Sequence, residues 1–158
     1  MPDAAELVTV LSAIQNRLVL AESCTGGLIA AQLATVPGVS QWWCGSAVTY
    51  REDTKIRWLQ VSAKSIEART AVSEQVAREM AIGVLRQTPE ADVAASITGH
   101  LGPDAPPGQD GLIFIGIAKG EQSEVSTHCL RESGRTARQQ EAANLVIAKL
   151  LGFLTPRA

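Results

Sequence analysis

Apolar and polar positions follow two different periods along this chain, and each change of period marks an element. Behind Asp3 and Glu6, spaced as a capping box, Leu7, Val10, Leu11 and Ile14 recur on one helical face. Leu18–Glu22 is a short apolar run, which predicts a buried strand. Residues 26–35 predict a second helix, stopped by Pro37-Gly38. Cys44–Tyr50 predicts a second strand, and Thr54–Leu59 a short helix just after it. Ser73 is placed to cap a helix in which Val76, Ala77, Met80, Val84 and Leu85 repeat at helical spacing, and Thr88-Pro89 ends it. Ala91–Thr98 is largely apolar and predicts a strand buried on both faces. Residues 99–111 hold four glycines, three prolines and two aspartates, and predict a loop. Leu112–Lys119 and Ser123–Leu130 then pair across Gly120-Glu121-Gln122 as a β-hairpin. Thr136–Leu154 predicts a last helix, with Ala142, Leu145, Val146, Lys149 and Leu150 along one face. Thr155–Ala158 is expected to fray.

Strands alternating with helices predict a three-layer α/β/α sandwich. Its mixed sheet is mostly parallel, with one antiparallel strand supplied by the hairpin. At 158 residues, one domain spanning 1–158 with a sizeable core is expected.

In such a sheet, ligands gather at the carboxyl edge of the strands. Three polar clusters end strands here: Ser23-Cys24-Thr25, then Tyr50 with Lys55 just beyond, then Thr98-Gly99-His100. The first opens A-E-S-C-T-G-G, where Gly26-Gly27 would let backbone approach a ligand closely and the following helix start would attract an anion or oxyanion. The same residues have plainer uses. Ser23 or Thr25 can cap the helix, Gly26-Gly27 can serve close packing, and Lys55 can be a solvated charge. Trp42-Trp43 reads better as packing than as a ring-binding pair.

Composition narrows the field. Hydrophobic residues make up 46% and charged residues 19%, the proportions of a compact soluble protein. A net charge of −2 argues against a nucleic-acid partner, which would call for a basic face. No apolar run approaches a membrane span, and M-P-D-A-A-E lacks the basic-then-apolar pattern of a secretory leader. A cytoplasmic protein with no membrane partner is expected. The three cysteines, Cys24, Cys44 and Cys129, fit a reducing compartment better than a disulfide framework. Neither they nor the two histidines have metal-ligand spacing, so no metal is expected.

Four ordered motifs, A-E-S-C-T-G-G (21–27), V-T-Y-R-E-D-T-K-I-R (48–57), A-V-S-E-Q-V-A (71–77) and S-I-T-G-H-L-G-P (96–103), together carry a family likeness. The chain resembles the nicotinamide mononucleotide deamidase family, also known as the C-terminal domain of CinA, the competence/damage-inducible protein. The resemblance runs from about residue 5 to 152. It implies a three-layer fold with a mixed sheet similar to the anticodon-binding-domain architecture. It also implies an amidohydrolase that converts nicotinamide mononucleotide to nicotinic acid mononucleotide and ammonia, with no cofactor. By the same resemblance Ser23 is the nucleophile and Lys55 its base. Tyr50, Ser40 and Thr98 match further positions of the site, and Arg135 matches an arginine of a late family segment. The ADP-ribose pyrophosphatase activity linked to the other domain of full-length CinA proteins is not implied.

Amide hydrolysis asks for the same groups. It needs an activated nucleophile, a proton for departing ammonia and donors for the oxyanion. Lys55 can serve if burial or a cationic neighbour lowers its pKa. Tyr50 can relay the proton or orient the amine, and backbone near Cys24–Gly27 can supply the donors. Thr25, Gly26, Gly27, Ser40, Thr98 and Gly99 are candidate substrate contacts, and Arg135 suits the 5′-phosphate. The partner is then a small nucleotide, and a homo-oligomer is compatible with this reading.

The chain departs from the family pattern in T-G-H-L-G-P-D-A-P-P-G-Q-D-G-L (98–112). His100 and Leu101 replace small or apolar residues, Gln109-Asp110 replaces a lysine, and Thr70 stands where glycine is common. These changes keep two rival readings in view: a silent nucleotide-binding module, and an amidohydrolase of another small amide.

Overall fold

The computed structural model describes residues 2–155. Helix α1 (Ala4–Ala13) starts at Asp3, whose carboxylate accepts the Glu6 N–H at 2.9 Å. Strand β1 (Leu18–Glu22) leads through Gly26 and Gly27, both in left-handed backbone conformations, into α2 (Leu28–Ala34). After a 3-10 turn at Val39–Gln41 come β2 (Trp43–Val48), α3 (Glu52–Leu59) and α4 (Ala63–Arg69). Helix α5 (Glu74–Arg86) is capped by Ser73, whose hydroxyl accepts the Val76 N–H. Then follow β3 (Val93–Gly99), the hairpin of β4 (Leu112–Lys119) and β5 (Gln122–Cys129), and α6 (Arg135–Leu154). Pro156–Ala158, most of the segment expected to fray, lies outside the described residues.

Every predicted element is found, with ends displaced by a few residues at most. Helix α4 is the addition. Its sequence, AKSIEAR, buries only Ile66, so it carries no apolar repeat to announce it.

The five strands lie in the order β2-β1-β3-β4-β5. Strand β1 pairs in parallel with β2 and β3, while β4 is antiparallel to both β3 and β5. Only β4 therefore runs against the others. The carboxyl ends of β1, β2, β3 and β5 share one edge of the sheet.

The period-2 alternation of β1 divides the core. Leu18 and Leu20 face one apolar layer with Leu7, Leu11, Ile29, Val146 and Ile147 of α1, α2 and α6. Val19 and Ala21 face the other, with Leu59, Ile66, Val76 and Met80 of α3, α4 and α5. The second layer packs tightly at glycine. A Cβ on Gly116 would lie 2.5 Å from the Ala77 carbonyl oxygen, so α5 rests directly on β4. Among the described residues no helix is long and apolar enough to cross a membrane.

Candidate active site

Strand β1 ends at Glu22, and Ser23 continues its line, donating its N–H to the Ile97 carbonyl of β3 at 3.1 Å. Ser23 is thereby fixed to the sheet edge rather than to a free loop. Three residues past the end of β2, the chain enters α3, which places Lys55 on its buried side with Leu59. Lys55 is only 2% exposed and its Nζ lies 2.8 Å from Ser23 Oγ. Its two other neighbours are the Thr49 carbonyl at 2.7 Å and the Tyr50 carbonyl at 3.3 Å. A neutral amine has two N–H bonds and one lone pair. Two carbonyls and one hydroxyl are the partners that such an amine would use. Burial lowers the Lys55 pKa to about 8, against weaker opposing influences from Cys24 and Glu52. Burial, not a cationic neighbour, is the cause.

A cavity of about 340 Å³ opens over this pair, walled by Tyr50, Ala71, Val72, Arg135 and the stretch Thr98–Ala105. Thr98 is buried and donates its hydroxyl to the Ala71 carbonyl at 2.8 Å, bracing two walls of the cavity. Gly99 has no room for a side chain: a Cβ there would lie 2.4 Å from Ile113 Cγ2. Arg135, the first residue of α6, reaches across the mouth. One of its terminal nitrogens donates to the Gly102 carbonyl at 2.6 Å and the other to the Tyr50 hydroxyl at 3.0 Å. Ser23, Lys55, Tyr50, Thr98, Gly99 and Arg135 are thus brought together by three strand ends, helix α3 and the start of α6.

The other predicted contacts go elsewhere. Thr25, Gly26 and Gly27 do not line the cavity. The Thr25 hydroxyl donates to Glu22 at 2.8 Å, and the two glycines make the turn. The start of α2 is not open to an anion either. The Ile29 and Ala30 N–H groups are taken by the Glu22 carboxylate at 3.0 and 3.1 Å, and the Leu28 N–H by the Thr25 carbonyl. Ser40 is exposed in the 3-10 turn before β2, at the opposite edge of the sheet, because a parallel strand begins where its neighbours begin. Trp42 and Trp43 pack against the core.

Glu22 is the neighbour of the candidate site that the sequence reading missed. It is fully buried and also accepts the Ser46 hydroxyl of β2 at 2.7 Å, so one side chain ties β1, β2 and α2 together. Its signal was its place in A-E-S-C-T-G-G: an acid inside a buried apolar strand must find several donors. Cys24, next to the nucleophile candidate, is buried, and burial pushes its thiol up to about 12. At neutral pH it holds its proton and is a poor nucleophile. Thr70, where glycine would be at ease, sits at φ +68° and turns the chain from α4 into the Ala71-Val72 wall.

The model of the CinA C-terminal domain matches residues 2–154. A CinA-like protein of Dictyoglomus thermophilum is 45% identical over 130 residues, covering 81% of this chain and 31% of that protein. The chain spans about a third of the length of the curated relatives it matches. Among solved structures, a competence-damaged protein (CinA) superfamily protein from Klebsiella pneumoniae superposes with a TM-score of 0.91 at 29% identity, covering 96% of this chain and 94% of that one. Another, from Escherichia coli, gives 0.88 at 31% identity, covering 95% and 90%.

Proposed function

Because this chain belongs to the CinA C-terminal domain family, we propose that it is a serine amidohydrolase that converts nicotinamide mononucleotide to nicotinic acid mononucleotide and ammonia. The observation that carries the reading is the buried amine of Lys55, 2.8 Å from Ser23 Oγ and shifted to about 8. At pH 7 about a tenth of such an amine is neutral, a far larger fraction than for an ordinary lysine. The neutral amine takes the Ser23 proton as Oγ attacks the amide carbon. The ammonium then returns that proton to the leaving nitrogen. Water, activated by the same amine, cleaves the acyl-enzyme. The oxyanion is met by backbone of the turn after Ser23, whose Cys24 and Thr25 amides are not engaged in the capping bonds of α2.

The cavity suits a mononucleotide. Its volume of about 340 Å³ lies within the usual range for small-molecule sites. Arg135 still has three N–H bonds after its contacts to Gly102 and Tyr50, enough to hold a phosphate at the mouth. The protein would act in the cytoplasm on a free nucleotide.

The test is direct. Purified protein is incubated with nicotinamide mononucleotide, and ammonia and the acid nucleotide are measured together. Ser23→Ala should release none above background while binding the acid nucleotide nearly as well as the parent. Binding without turnover by the parent protein would leave a silent nucleotide-binding module, and turnover of a different amide alone would replace the substrate.

A further inference from the structure

The wall of the cavity made by residues 100–105 is anchored by two arginines of α6, of which only one lines the cavity. His100 and Gly111 close the base of the loop: the His100 N–H donates to the Leu112 carbonyl and the Gly111 N–H to the His100 carbonyl, both at 2.9 Å. Beyond that base, the chain from Leu101 to Asp110 is irregular. Besides Arg135, what holds it is Arg138, one turn later on α6.

The Arg138 side chain is 15% exposed and uses its whole fork. Its two terminal nitrogens grip the Asp110 carboxylate at 2.8 and 2.9 Å. One of them also donates to the Leu101 carbonyl at 3.1 Å, and Nε donates to the Glu132 carbonyl at 3.0 Å. The loop closes onto this guanidinium so tightly that a Cβ on Gly102 would lie 3.0 Å from an Arg138 nitrogen. Arg135 and Arg138 therefore hold adjacent carbonyls, those of Gly102 and Leu101. The two differ in role. Arg135 lines the cavity, whereas Arg138 lies behind the wall. Asp110 supplies the carboxylate that this paired contact requires.

We propose that Arg138, locked to Asp110, is a positioning residue that sets the height of the 100–105 wall over Ser23 and so tunes the affinity for the nucleotide. The proposal takes its substrate from the hydrolase reading, but its geometry stands apart from it. A wall held by a rigid fork grips the substrate in the ground state and the transition state alike. Loosening it should therefore raise KM and leave kcat nearly alone.

The variants are Arg138→Met, Arg138→Lys, Asp110→Asn and the double variant Arg138→Met with Asp110→Asn. For each, kcat and KM for nicotinamide mononucleotide are measured by ammonia release, and hydrogen–deuterium exchange is followed through residues 100–111. Arg138→Met should raise KM about tenfold, with kcat within about threefold of the parent. Exchange should quicken in 100–111 and stay unchanged in β1 and β3. Arg138→Lys should recover part of the KM, and the double variant should be no worse than Arg138→Met. An unchanged KM overturns the proposal. So does exchange that quickens through the whole sheet, which would make Arg138 a general stabiliser. If the parent protein does not hydrolyse the nucleotide, the hydrolase reading fails by itself. The exchange pattern, with calorimetric binding of nicotinic acid mononucleotide, then decides the positioning role.

Discussion

Replacing Lys55 by methionine should change how stability responds to pH, in a direction that follows from the burial of the amine. An ordinary lysine titrates near 10.5, and the folded protein holds this one at about 8. Between those values the folded state binds fewer protons than the unfolded state, so the buried amine costs stability when charged. The cost is roughly 3 kcal/mol at pH 7, falls to about 2 at pH 9, and vanishes above about pH 10.5. Lys55→Met removes it at every pH. The substitution also leaves the Thr49 and Tyr50 carbonyls with one donor fewer, at a cost of about 1–3 kcal/mol that does not vary with pH. The absolute change in stability mixes these two effects, whereas its pH dependence isolates the amine. Cys24 titrates in the same alkaline region, but it is present in both proteins and cancels in the comparison. Urea unfolding of both proteins at pH 7 and pH 9 gives the answer. From pH 7 to pH 9 the parent should gain about 1 kcal/mol on the variant. A difference that stays constant between the two pH values would refute a buried, shifted amine, and with it the general base.

Three further outcomes are expected. Lys55→Arg should abolish hydrolysis almost as fully as Lys55→Ala, since a guanidinium cannot accept a proton at neutral pH, and kcat/KM of the parent should rise with pH through about 8 and level off above it. A flat profile between about pH 6 and pH 9 would exclude an amine base. Cys24→Ala should keep most of the activity in the same ammonia assay, because a thiol held at about 12 supplies no thiolate. Glu22→Gln should lower the unfolding free energy by about 1–3 kcal/mol, since its amide nitrogen would face donors that now meet an acceptor. An unchanged denaturation midpoint would show that α2 and β2 do not depend on this carboxylate.

The sheet was readable because its apolar runs are short, bounded and buried, and because the reversal at Gly120 is sharp. The convergence of Ser23, Lys55 and Thr98 followed from parallel strand order alone. The motif likeness pointed to Tyr50 and Arg135. Hidden from sequence were the contacts made by atoms that every residue has. The carbonyls of Thr49, Tyr50, Leu101 and Gly102 hold the key side chains, and no residue type encodes them. The open helix start expected after Gly27 failed for the same kind of reason. Its amides meet a carboxylate seven and eight residues earlier, a pairing visible only once β1 and α2 are set side by side. Ser40 was misplaced because a likeness of motifs carries no direction along the sheet. The role of Arg138 was masked by Arg135, which shares its motif and matched the family.

Glu22 and Ser23 are neighbours in sequence and strangers in space. The pleat of β1 sends the carboxylate toward α2 and the hydroxyl toward α3, so a sheet's thickness of backbone and apolar packing separates a buried acid from a buried base. On the same side they would form an ion pair, and the amine would hold its proton far above neutrality. The strand thus works as an insulating partition, and its parity is the setting that matters. Inserting or deleting a single residue in Leu18–Glu22 would leave composition and apolar content almost unchanged, yet would turn the acid to face the amine and discharge the difference on which the proposed chemistry depends.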